Sequence, residues 1–131
     1  MPAAADDERR ELPITFIDIL SEMNQEGDFQ RSVLATEEGL PIAAAPDQGD
    51  HDSAGALLSM LRRVSEEIQE QLEITGIDEV TIRDRERSRL VCRAIDSGSE
   101  TLILAAFVPP GRYYRRATNR AIKRIQQLIQ G

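Results

Sequence analysis

A chain of 131 residues has room for one domain of ordinary size and not for two. Its 40% hydrophobic and 30% charged residues make a globular mixture, but aromatics are only 4% and tryptophan is absent, so the core must be built from Ile, Leu, Val and Ala. A single cysteine, Cys92, and a single histidine, His51, exclude an internal disulfide and a structural zinc site, while a net charge of −7 opposes general binding to nucleic acid or anionic lipid.

These features fit a reducing cytoplasm. The N-terminal MPAAADDERRELP lacks the apolar stretch of a signal peptide, and no later run approaches the roughly 18 apolar residues of a membrane span, so a soluble protein is expected. The charge is uneven along the chain. Acids dominate the first thirty residues (Asp6, Asp7, Glu8, Glu11, Asp18, Glu22, Glu26, Asp28), whereas the last twenty carry Arg112, Arg115, Arg116, Arg120, Lys123 and Arg124 and no acid.

Residues 1–11 have too little apolar area to offset the entropy of ordering them, which predicts a flexible arm ahead of a single domain at 12–131. Leu12, Phe16, Ile19, Leu20 and Met23 recur at helical spacing, with Pro13 suited to a first turn and Gly27 to a stop, predicting a helix over about 13–25. FQRSVLAT at 29–36, the turn pair Glu38-Gly39 and LPIAAA at 40–45 predict a β-hairpin. Pro41 cannot donate a ladder hydrogen bond and so places the second strand at a sheet edge. A polar loop, PDQGDHD, leads to a long helix from about Asp52 or Ser53 to about Thr75.

Three strands follow, at 77–84, 88–95 and 100–108. The first alternates, with Val80 and Ile82 on one face and Glu79, Thr81 and Arg83 on the other; the last, ETLILAAFV, is apolar almost throughout and is expected at the centre of the sheet. After Pro109-Pro110-Gly111, residues Tyr114, Ala117, Ala121, Ile122, Ile125, Leu128 and Ile129 trace one side of a closing helix. The order is helix, two strands, helix, three strands, helix, an α/β (α+β) domain.

On the long helix, Ala54, Leu57, Leu61, Ile68 and Leu72 sit mid-stripe, and Leu58 and Met60 widen the apolar arc to about 160°, where a helix lying on a sheet needs about 100°. The surplus points to the same helix of a second copy, unless the flanking loop or the N-terminal arm covers it.

The run GDFQRSVLATEEGLPIAAA, then a long amphipathic helix, then a strand such as DEVTIRD, resembles the Roadblock (dynein light-chain) family; the resemblance covers about residues 13–129. Its sharpest part is Glu37-Glu38-Gly39-Leu40-Pro41-Ile42, with Glu-Gly where the family commonly has Asp-Gly. The resemblance implies a five-stranded antiparallel sheet in the order 2-1-5-4-3, between the long helix on one face and the first and last helices on the other. It also implies a homodimer joined through the third strands and long helices, with Leu57, Leu58, Met60, Leu61, Val64, Ile68, Val80, Thr81, Ile82 and Arg83 at the interface. Members of this type bind proteins: bacterial ones often accompany small Ras-like GTPases, others serve as light chains or scaffolds. By that analogy Arg62, Arg63, Glu66, Glu67 and Glu70 would meet a partner.

Two other readings remain open: an adaptor that takes an extended peptide regardless of nucleotide, and a small-molecule sensor, against which the scarcity of aromatics weighs. No chemistry of the chain's own is indicated. His51 between Asp50 and Asp52 reads as a helix-capping loop, not as a metal or catalytic site, and Cys92, alternating with Leu90 and Ala94, reads as a small buried hydrophobe. No phosphate loop is present, so any GTP belongs to a partner, and no cofactor is expected. The basic face of the last helix reads as a solvated surface, with docking to an acidic protein or to an anionic membrane as the alternatives.

Overall fold

The computed structural model describes residues 13–47 and 51–131, so the expected arm at 1–11 lies outside the described residues. The elements are α1 (Phe16–Gly27), β1 (Arg31–Thr36), β2 (Pro41–Ala45), α2 (His51–Leu72), β3 (Glu79–Arg83), β4 (Arg89–Asp96), β5 (Thr101–Val108) and α3 (Arg115–Gln130). The five strands form one sheet in the order β2-β1-β5-β4-β3, and every neighbouring pair is antiparallel. This is the α+β architecture expected, with β5 central.

The helix ends differ from expectation for local reasons. At the start of α1, Thr15 and Asp18 form a capping box: the Asp18 amide donates to Thr15 Oγ1 at 3.2 Å and the Thr15 amide donates to Asp18 Oδ2 at 2.9 Å. The helix therefore begins after Pro13, not at it. The bonds from Thr15 hold the Asp18 carboxyl below its ordinary value of 3.8, so the box supports folding above that value and its contribution is lost as the pH falls through the lowered one. Asp28, at φ +58°, closes α1 one residue beyond Gly27, and the Phe29 amide donates back to the Asn24 carbonyl. The long helix stops at Leu72 and not at Thr75 because Glu73 takes φ +54° and the Ile74 amide returns to the Gln69 carbonyl.

The β1–β2 hairpin turns through Gly39 at φ +89°, and its ladder slips by one residue: Leu34 faces Ala43, but Ala35 faces Pro41. Ile42 is the extra residue of this bulge, and Pro41 stands at the first position of the edge strand β2, where its missing donor breaks no central ladder. The turn rests on α2 with no side chain between them. A Cβ on Gly55 would lie 2.1 Å from the Gly39 carbonyl oxygen, and one on Gly39 would lie 2.3 Å from the Gly55 oxygen.

Two cores lie on opposite faces of the sheet. On one face Ile19, Leu20 and Met23 of α1 and Ala117, Ala121 and Ile125 of α3 close over Leu34, Val91, Ile95, Leu102, Leu104 and Ala106. On the other, Ala54 and Leu58 of α2 close over Val33, Ala35, Ala44, Cys92 and Ala105. The charge asymmetry of the sequence resolves where α1 meets α3. Glu22 pairs with Arg124 and Glu26 with Arg120, while Asp28 pairs with Arg112 at 2.8 Å. The basic side of α3 is thus not simply solvated; one row of it is neutralised by α1. These pairs are exposed and contribute roughly 0–1 kcal/mol each, so they fix the helix pairing more than they stabilise it.

Among the described residues one arginine is buried, which no local pattern signals. Arg93 of β4 is 7% exposed and donates to Thr118 Oγ1 at 2.8 Å and to Asn119 Oδ1, with its Nε 3.8 Å from Glu79. Glu79 on β3 also accepts from the Tyr114 hydroxyl at 2.5 Å and from Arg115 at 3.0 Å. This network fastens the outermost strand to α3.

Gly55→Ala is expected to lower stability in urea denaturation by about 2 kcal/mol, although Gly to Ala inside a helix ordinarily gains about 1 kcal/mol; an unchanged or raised midpoint contradicts the backbone contact. Glu79→Ala costs about 3 kcal/mol by stranding Arg93, and the double variant Glu79→Ala/Arg93→Met recovers more than half of that loss.

Candidate interface on the long helix and the open sheet edge

At 22 residues α2 is about 33 Å long. Only its first part is closely applied to the sheet, where Ala54 and Leu58 pack on small residues of β1, β2 and β5 and Gly55 meets the turn. Beside that contact and along the rest of the helix, apolar side chains remain exposed: Leu57 at 36%, Met60 at 53%, Val64 at 50%, Ile68 at 39% and Leu72 at 67%. They recur every three or four residues and form one stripe beside the sheet-facing side, too regular to be scattered surface apolar residues.

The residues expected at an interface between copies separate into two groups. Leu57, Met60, Val64 and Ile68 lie on the exposed stripe, with Leu61 half-buried at its margin. Leu58 differs from them: it is only 3% exposed and belongs to the core with Val33 and Ala44. Its position on the wheel, about 100° from Leu57, turns it toward the sheet.

Among the described residues β3 pairs only with β4, and its other edge has no partner strand. Val80 opposes Cys92 and Ile82 opposes Leu90, which sets both on the α2 side of the sheet; Val80 is half-buried there and Ile82 is exposed. Thr81 and Arg83 occupy the opposite side and are exposed, and the Thr81 hydroxyl donates to Glu79 Oε2.

The polar positions are not one cluster either. Arg62 and Glu66 form an i,i+4 ion pair at 2.9 Å on the side of α2 that overhangs the sheet. Arg63, Glu67 and Glu70 are exposed on the outer side, Glu67 accepting from Gln71.

Between the second half of α2 and strands β3 to β5 lies an open cleft of about 350 Å³, floored by Leu58, Leu61, Val80, Cys92 and Ile103 and edged by Arg62 and Glu66. Sequence reasoning missed it, because nothing local says where along a helix its contact with a sheet gives out. The buried Nε of Arg62 has no hydrogen-bond partner at its lip. Burial pushes the Cys92 thiol up to about 12, so it is protonated at neutral pH and suited to packing, not to nucleophilic attack. Asp50 and the side chains of His51 and Asp52 lie outside the described residues. Among the described residues no three metal-ligating side chains gather, and no helix is long and apolar enough to cross a membrane.

Comparison with known proteins agrees with this architecture. The Roadblock/LC7 domain family matches residues 16–105. MglB of Myxococcus xanthus superposes with a TM-score of 0.76 at 11% identity, covering 88% of this chain and 94% of that one. The gliding protein MglB of Thermus thermophilus gives 0.68 at 15% identity, covering 88% of each chain. A Roadblock/LC7 domain from Streptomyces avermitilis gives 0.68 at 14% identity, covering 86% of this chain and 96% of that one. At such identities the likeness is one of fold. No curated protein is a significant match to the sequence. The family match spans most of the described sheet and both of its first helices, and the chain belongs to the Roadblock/LC7 family.

Proposed function

We propose that the chain is a non-enzymatic, homodimeric protein-binding module that regulates or scaffolds a small Ras-like GTPase in the cytoplasm. The observation that carries the dimer is the uncovered stripe Leu57, Met60, Val64 and Ile68 on the same side of the sheet as Ile82 at the unpaired edge. Covering a half-exposed side chain of this size contributes about 1 kcal/mol, so eight of them across a two-fold give roughly 8 kcal/mol. Association costs about 4–15 kcal/mol, so the stripe alone is marginal and pairing of the β3 edges has to add to it. Antiparallel pairing centred on Thr81 sets Glu79 opposite Arg83 of the partner subunit and Val80 opposite Ile82 of the partner subunit, which favours that register.

The GTPase is supported by family membership and by the two-fold pair of helices such a dimer would present, with Arg63, Glu67 and Glu70 on the outer side. A catalytic set of the chain's own is not needed for this role, since the hydrolytic centre belongs to the GTPase. The cleft under α2 favours a second reading, a small-molecule sensor, because about 350 Å³ lies at the lower end of ligand pockets. A rise in thermal unfolding temperature with a metabolite mixture would support that reading.

Light scattering of the wild type is expected to give twice the chain mass, and Val64→Asp/Ile68→Asp to give a monomer with unchanged far-UV circular dichroism, since both residues lie outside the cores. A monomeric wild type at micromolar concentration overturns the dimer. Against Ras-like GTPases of the source organism, binding differs between the GDP and GTP-analogue states, and Arg63→Glu/Glu67→Arg weakens it about tenfold while the dimer mass is retained. Equal binding in both nucleotide states points instead to a nucleotide-independent adaptor.

A further inference from the structure

The ion pairs between α1 and α3 neutralise Arg120 and Arg124, but they leave a second group of arginines at the other end of the molecule. The β3–β4 turn carries Arg83, Arg85, Arg87 and Arg89, and the β5–α3 connection brings Arg112 and Tyr113 beside them. Among the described residues Arg83, Arg85 and Arg87 form no ion pair, and the acids within the turn, Asp84 and Glu86, leave a local excess of positive charge on a chain of net −7. Asp84 is occupied in holding the turn, accepting from the amides of Glu86 and Ser88 at 2.9 Å.

The arginines enclose an open cleft of about 370 Å³, lined by Arg83, Arg87, Arg89, Gly111, Arg112 and Tyr113. Its walls are fixed from beneath. Arg89 donates to the Arg112 carbonyl oxygen and lies 5.6 Å from the ring centroid of Tyr114, the residue that precedes α3. α3 has 16 residues, no side-chain cap at its start and no acid in its first turn, so its positive end, equivalent to about half a charge, adds to the field beside the cleft. Tyr113 is 94% exposed at the rim and has no intramolecular packing that accounts for it.

We propose that this arginine cleft docks an acidic segment of a partner protein, with partner carboxylates taken by Arg83, Arg87 and Arg112 and Tyr113 packing along the segment. Guanidinium forks match carboxylates in a bidentate geometry, and a concave site fits discrete side chains. An anionic membrane fits less well. An extended anionic surface meets the net negative charge of the whole molecule, and the ring offers no aliphatic wedge to enter lipid; a short segment, within a Debye length of about 8 Å, senses only the local excess. The Arg112–Asp28 pair is exposed, at 55% and 68%, so exchanging Asp28 for a partner carboxylate costs little.

The cleft faces away from the long helix. Arg83 and Arg89 oppose each other on β3 and β4, alternating with Ile82 and Leu90, which face α2. A partner held here leaves the α2 face free, so the site does not compete with a GTPase there; Arg83 also belongs to the β3 edge proposed to pair between copies, whereas Arg87 and Arg112 do not.

The test is fluorescence anisotropy of a labelled decaglutamate peptide with the full chain. Saturable binding that weakens steeply between about 50 and 300 mM salt is expected. Arg87→Asn, suited to the φ of +73° at that residue, and Arg112→Gln each weaken it about tenfold. Lys123→Gln, which removes one charge beside Asp96 at the opposite end of β4, leaves binding unchanged. Thermal unfolding of each variant verifies that it is folded. Absence of peptide binding, equal weakening by all three substitutions, or binding to phosphatidylserine vesicles without binding to the peptide overturns the proposal.

Discussion

The hairpin turn at Gly39 lies directly on the second turn of α2 at Gly55, backbone against backbone, and that one contact sets how the long helix crosses the sheet. Beneath it the sheet offers Ala35, Ala44 and Ala105, side chains small enough to let the helix approach at its N-terminal end. A rigid rod of about 33 Å held close at one end does not follow a twisted sheet along its length. Its second half therefore stands off from β3 and β4, which opens the cleft over Cys92, while Met60, Val64 and Ile68, on the stripe beside the sheet-facing side, are exposed.

The opposite face of the sheet obeys a different constraint. There the apolar core is closed by two helices, and charge decides how they lie: an acidic row on α1 meets a basic row on α3. The same preference for paired charge reaches the outermost strand, where Arg93 is buried between Thr118, Asn119 and Glu79. A short strand of five residues with one neighbour would otherwise be free to fray. Glu79, accepting from Tyr114 and Arg115, ties it instead to the start of α3. The arginines that lack such partners collect at the turn beyond it.

Element order and the identity of the central strand were legible because they rest on local pattern. Hydrophobic spacing separates helices from strands, an unbroken apolar run marks β5, and Pro41 can stand only where a ladder donor is not required. Helix ends were less legible, since Asp28 and Glu73 adopt the left-handed conformation that glycine was expected to supply. The surplus of apolar residues on the long helix was also written in its spacing, but not which of them were surplus. Leu58 and Leu57 are neighbours in the chain, and only the direction in which the sheet lies makes one core and the other surface.

The sequence by itself thus determined the order of the elements, the central place of β5, the edge position of β2 and the existence of an over-wide apolar helix face, and its family resemblance implied the full strand order. Tertiary structure alone decided the contact between Gly39 and Gly55, the burial of Arg93 and the division of the arginines into a neutralised row and an open cleft. The physical reason is separation along the chain: Arg124 and Glu22 are 102 residues apart and Arg93 and Thr118 are 25 apart, and no local periodicity carries information about partners that only folding brings together.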